Sequence, residues 1–464
     1  MPPVRVLIVG GGASGVLTAA RIMDATHARP ARVTLVEEGG RLAAGVAYGT
    51  EDAAHLLNVR ASGMSADPSD PDGLVRWIAA RGQDDPDTFV ARRDFRDYLL
   101  EHLDRAVAAA PNGELVVRTD RVDDVEVLAD GTCEVRLASG DVEIVDHVVL
   151  AIGNPPPAVP EPLGELTGHP AWVPDPWTPG ALAGCSGATR AVLVGTGLTM
   201  VDVAITLGRD CAPGAHLLAV SRQGLLPTAH LPRQPPRPIS VIDLERDSID
   251  VGALADRVRA RTIDREGIEY ADEDWREVID AIRPYANALW RRFDREQQAC
   301  FLRDVLRQWD VHRHRMSPPT AARLAALLDN GRLTLHTGSV RSVVDTGGDT
   351  VTLRLDLDGR EQEVVTDAVI NCTGPGRPWE APANPVVTSL FDRGLACPDV
   401  HGLGLATTAD GCLVDVEGTA VPQVLVVGPP RRGTLFETTA VPELRSQALH
   451  VADHLVIGDR PTPS

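Results

Sequence analysis

Three glycines near the start of the chain have the spacing that lets a peptide backbone approach phosphate. Gly10, Gly12 and Gly15 directly follow the mostly apolar run Val4–Val9. In this pattern the first glycine permits a tight turn, the second admits a pyrophosphate, and the third lets strand and helix pack closely. The N-terminus of the following helix then stabilises the phosphate charge. The chemistry predicted here is dinucleotide binding.

The elements that must position these glycines can be predicted from the same stretch. A buried strand precedes them, an apolar helix over 16–23 follows, and a second strand over 32–37 ends in Glu37. A carboxylate at about this distance from the glycines binds ribose hydroxyls. The alternative is a βαβ unit whose glycines cluster by chance and bind no phosphate.

A glycine-rich polar segment follows Glu37 and extends to Met64. Its composition is typical of a surface loop. Because it follows a dinucleotide motif, it is also well placed to wrap the rest of the cofactor, with Asn58 and Ser62 as hydrogen-bonding partners. Both interpretations stay open.

A second glycine turn opens the other half of the chain. Gly195 and Gly197 again lie between an apolar strand and an apolar helix, but Met200 holds the third position, so we expect looser packing there. The next strand ends in Ser221 and Arg222. These residues replace the acid that would bind a ribose 2′-hydroxyl and would repel a 2′-phosphate. A hydroxyl and a guanidinium suit that phosphate, which favours NADPH over NADH. Otherwise Arg222 is a solvated surface residue and the site is empty.

Periodicity and breakers predict the remaining organisation. We expect a helix over 94–109, an antiparallel meander over 115–119, 122–128, 133–137 and 142–145, and strands over 147–152 and 368–371 that end alike before glycine and proline. The proline-rich and glycine-rich residues 155–187 predict a linker. Residues 251–307 predict two or three inserted helices.

The stretch Trp309–Arg315 contains two histidines and two arginines. It is either a solvated or acid-paired helix end, or a pocket in which arginine binds a substrate carboxylate. Metal binding is disfavoured, since no cysteine is near and the arginines would repel a dication.

Composition excludes several classes of protein. The 45 lysine and arginine positions are all arginine. The absence of lysine excludes enzymes that need a Schiff-base, pyridoxal-phosphate or Walker-A lysine. A formal charge of −20 argues against nucleic acid. The seven cysteines have no C-x-x-C or metal-ligand spacing, so we expect no metal site and reduced thiols. No apolar run could span a bilayer, and we expect a soluble cytoplasmic protein.

Taken together, the motifs resemble those of flavoproteins with two dinucleotide-binding domains, in particular relatives of the flavin-dependent N-monooxygenases. The resemblance covers nearly the whole chain. It rests on the first fingerprint with Glu37 and on residues 45–50, 57–61, 195–202, 309–315, 372–374 and 428–442. Pro429 stands where relatives have an acid that contacts FAD.

The resemblance implies an α/β fold with two Rossmann-like domains of the three-layer ββα type, small antiparallel meanders and a helical insertion in the second domain. It implies an FAD domain over 1–154 plus 366–464 and an NADPH domain over 188–365, with the insertion at about 245–318. The implied cofactor-binding residues are Gly10, Gly12, Ser14, Gly15, Glu37, Arg41, Asn58, Met64, Gly195, Gly197, Thr199, Ser221, Arg222, Thr373, Gly374, Gly428 and Thr439. The last helix is expected to direct its N-terminus toward the flavin and stabilise its reduced anion.

The implied activity is an FAD- and NADPH-dependent monooxygenase that N-oxygenates a small amino acid or amine through a C4a-hydroperoxyflavin, with O₂ as co-substrate. For an aspartate-like diacid, the candidate anchors are Arg60, Arg233, Arg313 and Arg315. No side chain is assigned as acid or base, because the flavin carries the chemistry. The alternative is a non-oxygenating FAD/NADPH oxidoreductase, an oxidase or redox sensor coupled to a partner. The sequence leaves the oligomeric state undetermined and is compatible with a homo-oligomer.

Overall fold

The computed structural model describes residues 2–232, 251–253, 256, 275–380 and 384–457. The chain divides into two units. The first unit comprises Met1–Glu51, Val59–Pro155 and Arg377–Ser464, and the second comprises Asp52–Asn58 and Pro156–Gly376. Arg233 and much of the expected insertion at 245–318 lie outside the described residues.

The first unit is built on a mostly parallel sheet with the strand order β15-β16-β7-β1-β2-β3, in which only β15 pairs antiparallel. The strands of this unit are β1 (Val4–Val9), β2 (Ala31–Val36), β3 (Gly113–Arg118), β4 (Val122–Val127), β5 (Cys133–Leu137), β6 (Val142–Val145), β7 (His147–Leu150), β15 (Cys412–Val414) and β16 (Ala420–Val426). Its helices are α1 (Ala13–Ala25), α2 (Gly45–Tyr48), α3 (Gly73–Ala79), α4 (Arg92–Ala108), α11 (Pro385–Asp392) and α12 (Val441–Ala452).

Three layers form in this unit because both faces of the sheet are apolar. Strand β1 has no exposed side chain, as expected for a parallel strand covered on both sides. Helices α1, α4 and α12 pack together, while Leu7 and Leu150 of the sheet belong to one buried cluster with Val125 and Val135 of the antiparallel sheet β4-β5-β6. The expected ββα arrangement is confirmed.

The second unit has a sheet of order β13-β12-β11-β10-β9-β14-β8. Its strands are β8 (Trp172–Val173), β9 (Arg190–Val194), β10 (His216–Ser221), β11 (Leu333–Asp345), β12 (Val351–Leu357), β13 (Arg360–Thr366) and β14 (Ala368–Asn371). Its described helices are α5 (Leu198–Asp210), α6 (Trp275–Ile282), α7 (Ala286–Arg292), α8 (Arg295–Cys300), α9 (Leu306–Arg313) and α10 (Pro318–Asp329), with a π-helical turn at Phe301–Val305.

Two buried clusters cover the faces of this second sheet. One contains Leu193 and Leu217 with Met200 of α5 and Leu324 of α10. The other joins β9 and β10 to the antiparallel strands β12 and β13. The expected helical insertion is present over the described residues 275–313.

Three predicted boundaries and one predicted pairing are wrong. Strand β14 pairs in parallel with β9, so residues 366–376 lie in the second unit and not in the first. Residues 156–187 are no linker, because Trp172 and Val173 pair with β14 and are buried. Residues 52–58 also belong to the second unit. Residues 113–118 extend the parallel sheet beside β2 instead of beginning the meander, because the intervening α4 provides a crossover connection.

Candidate dinucleotide-binding sites

The first glycine turn lies where β1 ends and α1 begins, and two of its glycines are required by close backbone approach. Gly10 has φ +100°, and a Cβ there would lie 2.6 Å from the carbonyl oxygen of Ala151. A Cβ on Gly15 would lie 1.9 Å from the carbonyl oxygen of Gly10. The turn can therefore form only without side chains at these positions.

Gly12 is different, since no atom of the described residues fills the space beside it. It is the extended N-cap of α1, and a Cβ there would have only the Cα of Gly45, at 3.8 Å, as a near neighbour. No side chain caps α1. The first N–H groups of the helix thus lack a side-chain acceptor beside an open cradle, and this fits the pyrophosphate of a dinucleotide.

Glu37 closes the turn from the end of β2. Its carboxylate accepts hydrogen bonds from the backbone N–H of Gly11, at 2.6 Å, and of Gly39, at 3.2 Å. A carboxylate has about four acceptor positions, so both oxygens can still accept from ribose hydroxyls. The predicted role of Glu37 is compatible with this geometry.

A third glycine turn follows β16 and lies against α1 and α12. Gly428 has φ +81°, and a Cβ there would lie 2.6 Å from Oγ of Ser14. Its N–H donates to Oε1 of Gln447 at 2.9 Å, and its carbonyl accepts from Thr438 Oγ1 at 2.9 Å. Gln447 Nε2 also donates to Thr438 at 2.8 Å. Sequence reasoning missed this buried network, although the start of α12 was expected here.

The N-terminus of α12 differs in detail from the sequence expectation. Its N-cap is Ala440 and not Thr439, which is exposed, and no side chain caps the helix. Pro442 lies in the first turn, as predicted. Pro429 begins a short 3₁₀ turn whose buried Arg431 donates to the carbonyls of Thr408 and Ala409.

The second glycine turn repeats the first. Gly195 has φ +108°, and a Cβ there would lie 2.4 Å from the carbonyl oxygen of Cys372. Gly197 is the extended N-cap of α5, without a side-chain cap, and no atom in the described part of the chain would lie within 4 Å of a Cβ there. Thr199 lies in the first turn of α5. This cradle also fits a pyrophosphate.

Strand register shows which residues of the two turns correspond. Val9 pairs with Val36 in the first unit, and Val194 pairs with Val220 in the second. The next residue is Glu37 in one case and Ser221 in the other. A carboxylate at the end of β2 is thus replaced by a hydroxyl at the end of β10.

Ser221 is connected to its own glycine turn. Its Oγ lies 2.7 Å from Thr196 Oγ1 and accepts from the N–H of Gly224 at 3.1 Å. Arg222 is exposed, and none of the hydrogen bonds or ion pairs among the described residues involves it. The end of β10 therefore carries the positive charge that the sequence predicts for binding NADPH.

Arg307 joins this edge from α9 and was missed by sequence reasoning. Its Nη2 donates to the carbonyl of Leu225 at 2.7 Å and lies 3.4 Å from Thr196 Oγ1. Thr196 itself donates to the same carbonyl at 2.7 Å. Because Arg307 is more than 80 positions away in sequence from these partners, no local pattern could have identified it.

Thr373 and Gly374 follow β14 in the second unit. Thr373 Oγ1 is hydrogen-bonded to Asn371 at 2.7 Å. Gly374 has φ +90°, and none of the residues that the structure describes has an atom within 4 Å of a Cβ there. Among the residues expected in the first site, Arg41 forms an exposed ion pair with Glu51, and Met64 is buried.

Asn58 lies in a segment of the second unit. Its carbonyl is hydrogen-bonded to His230 Nε2 at 3.0 Å. At the other end of this segment, Asp52 forms two 3.0 Å hydrogen bonds with Arg209 and accepts from Thr206 at 2.8 Å. Although burial raises it, these hydrogen bonds hold the pKa of Asp52 well below its usual range.

Two of the candidate substrate anchors are engaged by acids. Arg60 is buried, with Nε 3.8 Å from Asp87 and its guanidinium 5.0 Å from the ring centre of Phe89. Arg315 is buried in an ion pair with Asp280, which supports the acid-paired interpretation of this stretch. Burial lowers the pKa of Arg315 despite that pair.

Arg313 is also buried, and Arg233 lies outside the described residues. All seven cysteines are free thiols. The described part of the chain contains no group of histidine, cysteine and acidic residues able to hold a metal, and no helix in it is long and apolar enough to cross a membrane.

Comparison with known proteins supports this geometry. Residues 7–155 match the model of the FAD-NAD(P)-binding family. No curated protein sequence matches the chain.

Solved structures match over almost the whole chain. The ornithine hydroxylase of Pseudomonas aeruginosa is 15% identical, with 98% of this chain and 100% of that one covered and a TM-score of 0.64. The ornithine N-hydroxylase of Kutzneria sp. 744, solved with reduced FAD, NADP⁺ and L-ornithine, is 15% identical over 98% and 99% with a TM-score of 0.59. The bacillithiol disulfide reductase of Staphylococcus aureus is 13% identical over 99% and 100% with a TM-score of 0.55. Residues 7–155 thus match an FAD-NAD(P)-binding family model, and the whole chain has the fold shared by these hydroxylases and this reductase.

Proposed function

We propose that the protein is an FAD- and NADPH-dependent monooxygenase that oxygenates the amino group of a small amino acid or amine. The observation that carries the proposal is the difference between the two glycine turns. Glu37 at the first favours a ribose with a free 2′-hydroxyl, and Ser221 with Arg222 at the second favours a 2′-phosphate. Two dissimilar dinucleotides suit these sites better than two copies of one.

We assign FAD to the first turn and NADPH to the second. The N–H groups at the start of α1 would hold the FAD pyrophosphate beside Gly12, while Glu37 would accept from the adenosine ribose. When bound, FAD would supply the redox chemistry by which two electrons from NADPH activate O₂, so that one oxygen atom is transferred to the amine nitrogen and the other leaves as water. The uncapped N-terminus of α12 carries a partial positive charge that can stabilise a nearby anion.

The substrate is proposed at the level of its class. Arg60 and Arg315 already pair with Asp87 and Asp280. Because these carboxylates occupy the two guanidinium groups, we do not assign either arginine as an anchor for a diacid. A primary amine provides the nucleophilic nitrogen that N-oxygenation requires, and the two ornithine hydroxylases of the same fold act on such a group. Fold alone does not establish reaction, which makes the assay decisive.

The test begins with the cofactor released from the purified protein, which should be FAD. NADPH oxidation is then followed with L-ornithine, L-lysine, cadaverine and L-aspartate under ¹⁸O₂. A product that gains one labelled oxygen, in proportion to NADPH consumed, is the expected result.

Hydrogen peroxide equal to NADPH consumed with every amine would contradict oxygenation and favour the oxidase or redox-sensor alternative. The reductase of the same fold suggests a further control. NADPH-dependent reduction of a low-molecular-weight disulfide at a rate above that with any amine would replace the proposal with a disulfide reductase.

A further inference from the structure

We propose that Arg307 is a specificity-determining residue that binds the 2′-phosphate of the nicotinamide cofactor together with Arg222. This inference rests on the proposed function and names the second cation of its NADPH site. Arg307 lies at the beginning of α9, directly after the π-helical turn at Phe301–Val305. It is far in sequence from the strand whose end it reaches.

The hydrogen bonds of Arg307 leave most of its donors available. A guanidinium has five N–H donors, and among the described residues only Nη2 of Arg307 is hydrogen-bonded. Both of its partners, the carbonyl of Leu225 and the hydroxyl of Thr196, are neutral. None of the described carboxylates lies within ion-pair distance of it. The remaining edge of the guanidinium can therefore accept a bidentate anion.

The environment of Arg307 also favours an anion. The side chain is partly buried, and burial lowers its pKa, while the charge of Asp310 opposes this shift. Holding a cation in such a place is costly unless an anion is present for at least part of the working cycle. A phosphate would supply that compensation.

The location identifies which phosphate it would be. Thr196 connects Arg307 to Ser221, the residue that corresponds by register to Glu37. The end of this strand is where a Rossmann fold contacts the adenosine ribose, so the anion nearest to it is the 2′-phosphate and not the pyrophosphate at Gly197. Ser221 adds one hydroxyl that can turn from Thr196 to donate to a phosphate oxygen, while the Thr196 hydroxyl donates to the Leu225 carbonyl.

A purely structural role is the competing explanation, in which Arg307 only caps the Leu225 carbonyl. The two roles differ in their effect on discrimination between ligands. A 2′-phosphate contact changes affinity for adenosine 2′,5′-bisphosphate but not for 5′-AMP, whereas a cap changes both together or neither.

The experiment measures binding of these two nucleotides to the FAD-loaded protein by isothermal titration calorimetry. The wild type should bind the bisphosphate more tightly than 5′-AMP. Arg307→Gln should reduce that ratio roughly tenfold or more, because a charge-assisted hydrogen bond is lost. The matched control is Arg303→Gln, one turn earlier, where the exposed guanidinium pairs with Asp304 and the ratio should not change.

Equal loss of affinity for both nucleotides in Arg307→Gln, or no loss, would overturn the inference. If that variant does not fold, Arg307→Lys is decisive, since lysine can still reach a carbonyl but lacks the planar fork. It should lower the ratio severalfold, and an unchanged ratio counts against the inference. A wild type without any preference for the bisphosphate would instead refute the NADPH assignment itself.

Discussion

Replacing Gly12 by alanine should separate cofactor binding from folding. Among the described residues, the atom nearest to a Cβ on Gly12 would be Gly45 Cα at 3.8 Å, so a methyl group fits this part of the protein. It would occupy the cradle in which a pyrophosphate approaches the N-terminus of α1. Gly15→Ala is the contrasting variant, because its Cβ would lie 1.9 Å from a carbonyl oxygen.

The expected magnitudes follow from the local conformation. Gly12 has φ −67° and ψ −171°, which alanine adopts without strain. As an N-cap, alanine destabilises the helix by roughly 0.5 kcal/mol relative to glycine. Alanine also lowers the conformational entropy of the unfolded chain, which stabilises the folded protein by a similar amount. Stability should therefore hardly change. Losing one charge-assisted hydrogen bond to phosphate costs about 1.5–3 kcal/mol, which weakens FAD binding roughly 10- to 150-fold. Overpacking at Gly15 costs about 1–3 kcal/mol or more of stability.

Thermal unfolding and flavin content after gel filtration measure the two effects. Gly12→Ala should unfold near the temperature of the wild-type apoprotein and retain little flavin. Gly197→Ala, the equivalent change in the second unit, should keep flavin and raise the KM for NADPH. Full flavin occupancy in Gly12→Ala, or flavin loss in Gly197→Ala, would refute the assignment of the two turns.

Two further predictions concern charge. Ser221→Glu recreates at the second turn the carboxylate of the first, and it should lower the kcat/KM ratio of NADPH to NADH at least tenfold by repelling the 2′-phosphate; an unchanged ratio would contradict the role of this strand end. In the first unit, hydrogen bonds from Arg393 and Ser389, with burial opposing them, lower the pKa of Asp124 to about 2. A depressed carboxyl pKa contributes stability that is present above the unfolded value near 4 and is lost as pH falls toward 2. Asp124→Asn should therefore lower the free energy of unfolding by about 1 kcal/mol at pH 7. In urea titrations, the variant should also lose less stability than the wild type between pH 4 and 2. The same loss of stability over this pH range in both proteins would disprove the contribution of Asp124.

The sequence predicted the features that depend on local pattern. The two glycine turns, the strands around them and the pairing of β4, β5 and β6 follow from apolar periodicity and from the conformations that only glycine adopts. The replacement of Glu37 by Ser221 was also visible, because strand ends can be aligned without coordinates.

Features that depend on pairing between distant segments were not predictable in this way. Trp172 and Val173 lie in a proline-rich stretch that gives no strand signal, and they join a sheet only because β14 presents an unpaired edge. Arg307 reaches Thr196 across more than a hundred residues of chain. Residues 113–118 alternate like the strands that follow, and only the crossover through α4 sets their direction.

The interleaving of the two units determines the order in which they can be completed during synthesis. Every strand of the sheet containing Gly195 has been made once residue 371 is added, and the segment 52–58 was made long before. The sheet containing Gly10 lacks β15 and β16 until residue 426. Since domains fold as units while the chain grows, the unit whose glycine turn is translated first is the last to acquire its complete sheet. Under the proposed assignment of FAD to the first turn, stable flavin uptake is then a late event, and a nonsense codon before β16 should leave the sheet containing Gly195 with all its strands and the sheet containing Gly10 without β16.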